Sequence, residues 1–458
     1  MAGEQIVATS PHRAYLWHQI QSSFWFLPAI LLVTALCLSV VTLTLDRGVV
    51  GALLREGSWV YRIGPEGARL VLSTVAGSMI TVTSLVFSMT LVSLTLASQQ
   101  LGPRVITYFM QDRVNQSVLG VFLATFVYAL VVLRTVNDEG GTTFIPYTSI
   151  IVAMLLAIVC FALLIYFIHH AALSIQADHI LARVGDGLPT IIEKLFPPAE
   201  AASCGYDRTA LANDGFFADA RAVEACDSGY IQLVAQEELL ALAEAHDLTI
   251  VTVCRAGHFM MAPLPLAWVG PEGAASEQVV NAVRKAVVIG PRRTATQDVE
   301  YSMRALVDVT LRALSPSLND PQTAMAGIDR IGDAVARLMR RGVPDPVLCD
   351  ADGRPRVALY PLQFYDIMQT AFQQVSEAAR GNGTVCLHLL VTLTSLARLA
   401  CRDDQREALR QHGGKVIESA RAAARDDEDR HRAEARWAEF LRALDGNGRP
   451  RAPEESRR

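Results

Sequence analysis

The sequence is poor in lysine and has no closely paired cysteines. Lysine occurs three times in 458 residues, so arginine carries nearly all of the positive charge. The eight cysteines are scattered, and no Cys-x-x-Cys pair occurs among them. Zinc sites and disulfide frameworks need characteristic cysteine spacings, so we expect neither a metal site nor a disulfide framework. A reducing compartment for the soluble part is the simpler interpretation.

Motifs typical of nucleotide-binding proteins and hydrolases are also missing. The chain contains no G-x-x-x-x-G-K-[ST] phosphate loop, no G-x-S-x-G nucleophile elbow and no H-E-x-x-H metal helix. Gly185 and Gly187 are too few to make a dinucleotide fingerprint. The net charge of −5 does not indicate a nucleic-acid partner. We therefore expect no catalytic residues, no cofactor and no nucleic-acid binding.

Charged residues are absent from four long apolar runs near the start of the chain. These runs cover residues 24–45, 70–98, 117–133 and 145–168. A helix needs about 20 apolar residues to cross a hydrocarbon core of roughly 30 Å, and a charge at its centre costs about 2.5–3.5 kcal/mol. The runs therefore predict a transmembrane domain over residues 24–170, surrounded by the lipid bilayer. Its spans are expected at about 24–45, 70–98, 117–136 and 145–169.

Two other interpretations of these runs are weaker. Buried core helices of soluble proteins are usually shorter than about 15 apolar residues, whereas the shortest charge-free run has 17. A cleaved signal peptide would begin closer to the start of the chain than the first run, which follows a polar segment at residues 1–23. We therefore expect four membrane-spanning helices.

The arginines do not decide which side of the membrane the ends of the chain face. Four spans place both ends on one side. That side would hold Arg13, Arg104, Arg113 and Arg183, and the other side Arg47, Arg55, Arg62, Arg69 and Arg134. The positive-inside rule therefore does not decide the orientation, or slightly disfavours placing the two ends in the cytoplasm. We place residues 1–23 and the soluble domain in the cytoplasm because we find no signal that would export about 280 C-terminal residues.

The second span carries an unusual number of hydroxyl side chains. At about 100° per residue, small and hydroxylated residues share an arc of about 80°, which one leucine interrupts. The arc consists of Ser73, Gly77, Thr81, Ser84, Ser88, Leu91 and Thr95. Such a stripe allows helices to pack closely, which is its commoner use. It can instead line a water-filled path, with Leu91 as a hydrophobic constriction.

A polar segment follows the second span and predicts an elbow. Gly102 and Pro103 end the span helix, and residues 104–113 have the pattern of a short amphipathic helix at the membrane surface. Its role is either that of a simple connection or that of a gate at the mouth of the second span. The polar residues assigned to the elbow are Gln99, Gln100, Arg104, Asp112 and Arg113.

After the spans, the pattern changes to that of a water-soluble α+β domain. Residues 171–203 are predicted to form a linker helix, and residues 204–270 a small β-rich module around one helix at 236–245. Residues 276–445 are predicted to be helical. The Gly-, Pro- and charge-rich residues 446–458 are expected to be a disordered tail.

A polar cluster near two helix starts is the best candidate site in the soluble domain. A capping box at Thr294 and Gln297 is expected to open one helix, and Asp320 is expected to cap another that begins at Pro321. Paired arginines beside a helix start can hold a phosphate or carboxylate. The alternative is that these side chains only cap helices and pair locally. The cluster consists of Arg292, Arg293, Gln297, Asp298, Asp320 and Thr323.

Three stretches of sequence together resemble one known family. They are GSMITVTSLVFSMTLVSLTLASQQLGPRVITYFMQDRVNQSVLG, RRTATQDVEYSMRALVDVTLRALSPSLNDPQTAM and SGYIQ. These stretches are similar to the domain-of-unknown-function 2254 family of bacterial predicted membrane proteins. The resemblance implies a multi-pass protein of the bacterial inner (plasma) membrane, with four spans and a C-terminal soluble domain. It implies no established activity.

The sequence leaves two main functional hypotheses. The first is an oligomeric channel or transport-like pore, lined by the second span and regulated by the soluble domain. The second is a non-conducting sensor or scaffold, in which the second span is a packing seam and the soluble domain binds an unidentified ligand or protein. Both predict a homo-oligomer. An enzyme acting on lipid or envelope substrates is a third hypothesis, supported only by the membrane location.

Overall fold

A computed structural model describes residues 24–48, 64–101, 110, 112–136, 144–174, 176–198 and 205–446. The chain divides into two compact units, Met1–His179 and Ile180–Arg458. We call them the membrane unit and the soluble unit and describe each by itself.

Four helices of the membrane unit are long and apolar enough to cross a membrane, within the described residues. They are α1 (Phe26–Arg47), α2 (Pro65–Leu101), α3 (Arg113–Thr135) and α4 (Tyr147–Ser174). The predicted spans are thereby confirmed as helices. The helix of the second span begins at Pro65, five residues before its charge-free run. Its first turns contain the charged residues Glu66 and Arg69, which the charge-free run leaves out. At 1.5 Å per residue, α2 is roughly 55 Å long.

Helix α3 lies at the centre of this bundle. Its apolar stretch is 44% buried, against 22–28% in the other three helices. Gly120 allows α1 to approach closely, since a Cβ at this position would lie 2.7 Å from Leu31 Cδ1 and 3.0 Å from the Cα of Pro28. Tyr128 of α3 is fully buried and its hydroxyl lies 2.9 Å from Thr42 Oγ1 of α1. The third helix therefore contributes most of the core of the bundle.

The start of α4 is capped by a side chain from another helix. Asp46, near the end of α1, accepts hydrogen bonds from the backbone N–H groups of Thr148 and Ser149 at 2.8 and 3.0 Å. It also accepts from the Ser149 hydroxyl at 2.6 Å. A carboxylate satisfies the unpaired N–H groups of a helix start and interacts favourably with the helix dipole. Asp46 therefore fixes the end of α1 against the start of α4.

The first part of the soluble unit alternates short helices with strands. Its helices are α5 (Ala177–Leu195, which begins three residues before the division), α6 (Arg208–Leu211), α7 (Asp214–Ala218), α8 (Gln236–Ala245) and α9 (Glu277–Ala286). Its strands are β1 (Arg221–Glu224), β2 (Gly229–Val234), β3 (Thr249–Thr252), β4 (Phe259–Met260), β5 (Pro265–Gly270) and β6 (Val287–Gly290).

The second part of the soluble unit is mostly helical. Its helices are α10 (Val299–Ala313), α11 (Pro321–Met339), α12 (Phe364–Met368), α13 (Gln374–Ala378), α14 (Gly383–Ala397), α15 (Asp403–Ala423) and α16 (Asp427–Leu444). A π-helical turn, Gln369–Gln373, joins α12 to α13. Two strands, β7 (Val347–Cys349) and β8 (Pro355–Ala358), form a hairpin.

Two sheets connect these parts. A five-stranded sheet has the order β1-β5-β3-β8-β7, in which only β3 and β8 are parallel, and a three-stranded sheet has the order β4-β2-β6. Strands β6 and β8 lie beyond residue 276, whereas their partners β2 and β3 lie before residue 270. Both sheets therefore cross the predicted division between the β-rich module and the helical region.

One of the two expected helix starts is correct. Asp320 caps α11, which begins at Pro321, and accepts from the N–H groups of Gln322 and Thr323. The capping box at Thr294 is wrong, because α10 begins at Val299 and its cap is Asp298, whose Oδ1 accepts from Tyr301 N at 3.0 Å. A carboxylate four residues further on thus replaces the threonine as the cap.

The cysteines also depart from expectation at one position. Cys349, at the end of β7, is disulfide-bonded. The free cysteines among the described residues are Cys37, Cys160, Cys226, Cys254, Cys386 and Cys401. The eighth, Cys204, lies outside the described residues. The spacing of the cysteines did not indicate this disulfide, which is a single bond and not the framework that the spacing argues against.

Candidate functional site

The hydroxyl arc of α2 faces away from the rest of the membrane unit. All of its members are exposed: Ser73, Gly77, Thr81, Ser84, Ser88, Leu91 and Thr95. The opposite side of α2 supplies the buried residues Ala68, Leu72, Ala76, Met79, Val86 and Ala97. The arc is therefore not a packing seam between the four spans of one chain.

Most hydroxyls of the arc bond to the backbone of their own helix. Thr81 donates to the carbonyl of Gly77, Ser84 to that of Ile80 and Thr95 to that of Leu91, each at 2.9 Å. Each donor is thereby satisfied, while the oxygen lone pairs remain free to accept from outside the helix. The arc thus presents acceptors and no charge.

Large apolar side chains flank the arc on both sides. At about 100° per residue, Ile80 and Phe87 lie on one side, and Leu85 and Val92 on the other. These four side chains are 42–56% exposed in the single chain. The exposed face of α4 is different, since large apolar and aromatic side chains make up most of it. These side chains are those of Leu155, Ile158, Val159, Phe161, Ile165, Tyr166 and Ile168.

The elbow residues are only partly described. Asp112 is buried and caps α3, accepting from Val114 N at 2.9 Å, and it lies 2.8 Å from His170 Nε2 of α4. Arg113 is the first residue of α3 and is exposed, and Gln99 lies in the last turn of α2. Arg104 and most of the predicted surface helix lie outside the described residues, as does the side chain of Gln100. The contact with His170 joins residues 58 apart, so no local pattern revealed it.

The polar cluster predicted for the soluble domain does not form one site. Arg293 and Asp298 pair at 2.7 Å, but the Gln297 side chain instead bonds to both backbone groups of Val234. The backbone carbonyl of Arg292 accepts from the amide of Gln232. Asp320 and Thr323 bond to each other beyond the other end of α10, a helix of 15 residues and roughly 22 Å.

A different set of residues forms a buried polar cluster beside Asp298. The guanidinium of Arg255, in the loop after β3, lies 2.6 Å from the Glu300 carboxylate in the first turn of α10. Glu300 also accepts from Thr370 Oγ1 at 2.8 Å, and Asp366 lies 3.8 Å from Arg255. Thr370 belongs to the π-helical turn, and such turns occur frequently at functional sites.

The two buried carboxylates of the cluster differ in their electrostatics. Burial raises the pKa of Asp298 above its usual range, although Arg293 opposes this. Burial also acts to raise the pKa of Glu300, but the charge and hydrogen bonds of Arg255 outweigh it and hold the pKa below its usual range. Glu300 is therefore an ionised partner of Arg255.

Gly257 allows the loop after β3 to approach this cluster. Its φ of +93° lies in the left-handed region, and a Cβ at this position would overlap Asp298 Oδ2 and the Arg293 guanidinium. Any other residue would be strained here by both conformation and space.

Three further side chains meet beyond the carboxyl ends of β3 and β8. The guanidinium carbon of Arg208 lies 5.6 Å from the ring centre of Tyr360, and the ring of His258 lies 5.1 Å from it, edge to face. Arg208 donates to the Thr252 carbonyl at 2.8 Å, and Thr252 Oγ1 accepts from Tyr360 N at 2.9 Å. No local pattern brings these residues together, because Tyr360 lies more than 100 residues beyond both Arg208 and His258.

Comparison with known proteins identifies the family. Residues 21–395 match the family described as "Predicted membrane protein (DUF2254)". The chain belongs to this family. It is also 31% identical over 436 residues to the uncharacterized proteins Mb1321c of Mycobacterium bovis and Rv1290c of Mycobacterium tuberculosis. Each alignment covers 93% of this chain and 82% of the relative. No solved structure matches this DUF2254 chain.

Proposed function

We propose that this DUF2254 protein forms a homo-oligomer in the bacterial inner membrane, with the hydroxyl arc of α2 lining a channel or transport-like pore between the copies. The observation that carries this proposal is the exposure of the whole arc on a helix whose opposite face is buried. Small and hydroxylated residues are enriched where transmembrane helices contact protein, and a hydroxyl that donates to its own helix can still accept a hydrogen bond from water.

The arrangement of side chains around the arc supports a ring of copies. Four apolar residues (Ile80, Leu85, Phe87 and Val92) flank the arc. In a ring, these flanks pack against neighbouring copies while the arc faces the axis. The outward lone pairs of Ser84 and Thr95 can then accept from water or replace part of the hydration shell of a cation. Leu91, which is 48% exposed, would form a hydrophobic constriction in this path.

Oligomeric state and ion flux test this proposal together. The protein is purified in detergent for mass measurement by light scattering, and the same preparation is reconstituted in liposomes. We expect an oligomer with salt-dependent flux that Ser88→Leu reduces without changing the mass. Thr34→Leu is the matched control, because Thr34 is an exposed hydroxyl of α1 that bonds to its own helix at 2.8 Å. A monomer without flux at any salt or voltage would overturn the proposal.

A non-conducting sensor or scaffold is the second candidate. The polar cluster around Arg255 and Glu300 favours it, because buried ion pairs with perturbed pKa values are common at functional sites. Under this alternative, Ser88→Leu breaks the oligomer into smaller species in light scattering. An unchanged mass together with reduced flux excludes it.

We further infer that the soluble unit faces the oxidising side of the membrane, in contrast to the cytoplasmic placement expected from sequence. The disulfide at Cys349 supports this inference, because disulfides persist mainly outside the cytoplasm. The arginine distribution does not oppose this inference, since five arginines lie on the side opposite the termini and four on the side of the termini.

The exposed thiols of Cys226 and Cys401 give a direct test of this placement. A membrane-impermeant maleimide should label the protein in intact spheroplasts. Labelling that appears only after lysis would instead place the soluble unit in the cytoplasm.

A further inference from the structure

We propose that the soluble unit binds a small oxyanion, the phosphate or carboxylate group of a soluble ligand, between Arg208 and His258 beside the ring of Tyr360. This site does not rest on the proposed pore. Its residues are distinct from the ion-paired Arg255 and Arg293, whose charges act on His258.

The position of the site in the fold favours ligand binding. Strands β3 and β8 are parallel neighbours in the five-stranded sheet, so their carboxyl ends meet at one edge. His258 follows β3 and Tyr360 follows β8, and Arg208 bonds to the last carbonyl of β3. In this one parallel pair, the site has the same position relative to the strands as the ligand sites of open α/β sheets, beyond their carboxyl ends.

The charges around the site leave one cation unmatched. Arg255 pairs with Glu300 at 2.6 Å, and Arg293 pairs with Asp298 at 2.7 Å. Arg208 has only a carbonyl and an aromatic ring as partners within the described part of the chain. A half-buried guanidinium without a carboxylate is costly to desolvate, and burial lowers the pKa of Arg208. An external oxyanion would supply the missing counter-charge.

His258 gives the site a second donor. Its imidazole is half-buried and forms no hydrogen bond with the residues that the structure describes. The charged groups that act on it are Arg255 and Arg293, which disfavour protonation, and Glu300 and Asp366, which favour it. Burial and then Arg255 dominate, so the pKa of His258 lies below its usual range and the ring is neutral near pH 7. A bound anion would favour the protonated ring.

The alternative is that Arg208 only fastens the end of β3 to Tyr360. Its bond to the Thr252 carbonyl and its position over the ring serve that role as well. If Arg208 has only this structural role, the protein either does not bind the anion or binds it equally well after Arg208 is replaced. The two roles therefore differ in a measurable way.

Calorimetric titration of the full chain in detergent tests the site. Inorganic phosphate and succinate are titrated in separate arms at constant ionic strength, which distinguishes phosphate from carboxylate recognition. We expect saturable binding in at least one arm, and a loss of affinity of about 10- to 100-fold in Arg208→Gln, as is typical of a hydrogen bond to a charged group. Arg284→Gln is the control, because Arg284 likewise donates to a backbone carbonyl, that of Glu224.

A second variant keeps the test decisive if Arg208→Gln fails to fold. Sulfate, whose charge is constant between pH 6 and pH 8, should bind wild-type protein more tightly at pH 6, because the anion favours protonated His258. His258→Asn should remove this pH dependence. Absence of saturable binding of all three anions to wild-type protein overturns the proposal. So does wild-type affinity in a folded Arg208→Gln variant.

Discussion

The hydroxyl arc of α2 and the polar cluster around Arg255 satisfy their polar groups over different distances along the chain. In α2 of the membrane unit, Thr81 and Ser84 bond to carbonyls four residues away in their own helix. In the soluble unit, Arg255 bonds to Glu300 and Glu300 to Thr370, across 45 and 70 residues. A local pattern therefore reveals the polar face of the membrane helix, whereas only the fold reveals the polar cluster.

The largest expected effect concerns the long-range pair of the soluble unit. Glu300→Ala leaves Arg255, which is 15% exposed, without its closest carboxylate and with only Asp366 at 3.8 Å. Removing one partner of a buried ion pair destabilises a protein by about 3–5 kcal/mol. Denaturant unfolding of the soluble unit within the full chain measures this change.

An exposed ion pair is the matched control for that variant. Asp333 and Arg337 pair at 2.9 Å on α11, with side chains about half exposed. Asp333→Ala should therefore cost no more than about 0.5 kcal/mol. Equal losses for the two variants would contradict the distinction between a buried long-range cluster and local surface pairs.

The next effect is acid sensitivity caused by one buried histidine. His412 of α15 is 1% exposed, and neither ring nitrogen has a partner among the described residues. Burial, with a smaller contribution from Lys415, lowers its pKa from 6.5 to about 4. Because the folded state resists protonation of His412, the neutral ring does not reduce the stability of the fold above pH 6.5. The free energy of unfolding then declines as the pH falls towards 4.

Unfolding measured across this pH range tests the role of His412. This difference between the pKa of His412 in the unfolded and folded states lowers the free energy of unfolding by about 3 kcal/mol near pH 4. His412→Leu removes the titrating group and breaks no hydrogen bond within the described residues. It should flatten the pH dependence of stability between pH 6.5 and 4. A variant that loses stability as steeply as wild type would show that other groups cause the acid sensitivity.

The smallest predicted effect lies in the membrane unit. Gly120→Ala places a Cβ 2.7 Å from Leu31 Cδ1 and should destabilise the bundle by about 1–3 kcal/mol, as overpacking does. Gly77→Ala is the control, since a Cβ there meets no atom within 4 Å. Thermal unfolding in detergent compares the two variants. A Gly77→Ala protein as unstable as Gly120→Ala would contradict the packing described for α1 and α3.

Much of the membrane unit was predictable because its signals are local. A charge-free run of sufficient length predicts a span without knowledge of any other segment, and the hydroxyl arc of α2 follows from helical period alone. The helix cap at Asp320 was predictable for the same reason, because Asp320 accepts hydrogen bonds from residues only two and three positions later in the chain.

The features that sequence reasoning missed depend on long-range pairing. Strand β8 joins the sheet beside β3, with Val357 opposite Ile250, and no local pattern indicates this register. The site residue Tyr360 owes its position to the same pairing. The error at Thr294 has a different cause, because Asp298 is an equally good cap and tertiary contacts of Gln297 with β2 decided between them.

The accessibility of the α2 arc to water most directly tests the central claim that this arc lines a pore. Ser84→Cys and Ser88→Cys are made in a background in which the exposed Cys37, Cys226 and Cys401 are replaced by serine, with Thr34→Cys, an exposed hydroxyl position of α1 outside the arc, as the control. In liposomes, a charged water-soluble thiol reagent should modify both arc positions and spare position 34. Arc positions that resist the reagent as fully as position 34 would contradict the claim.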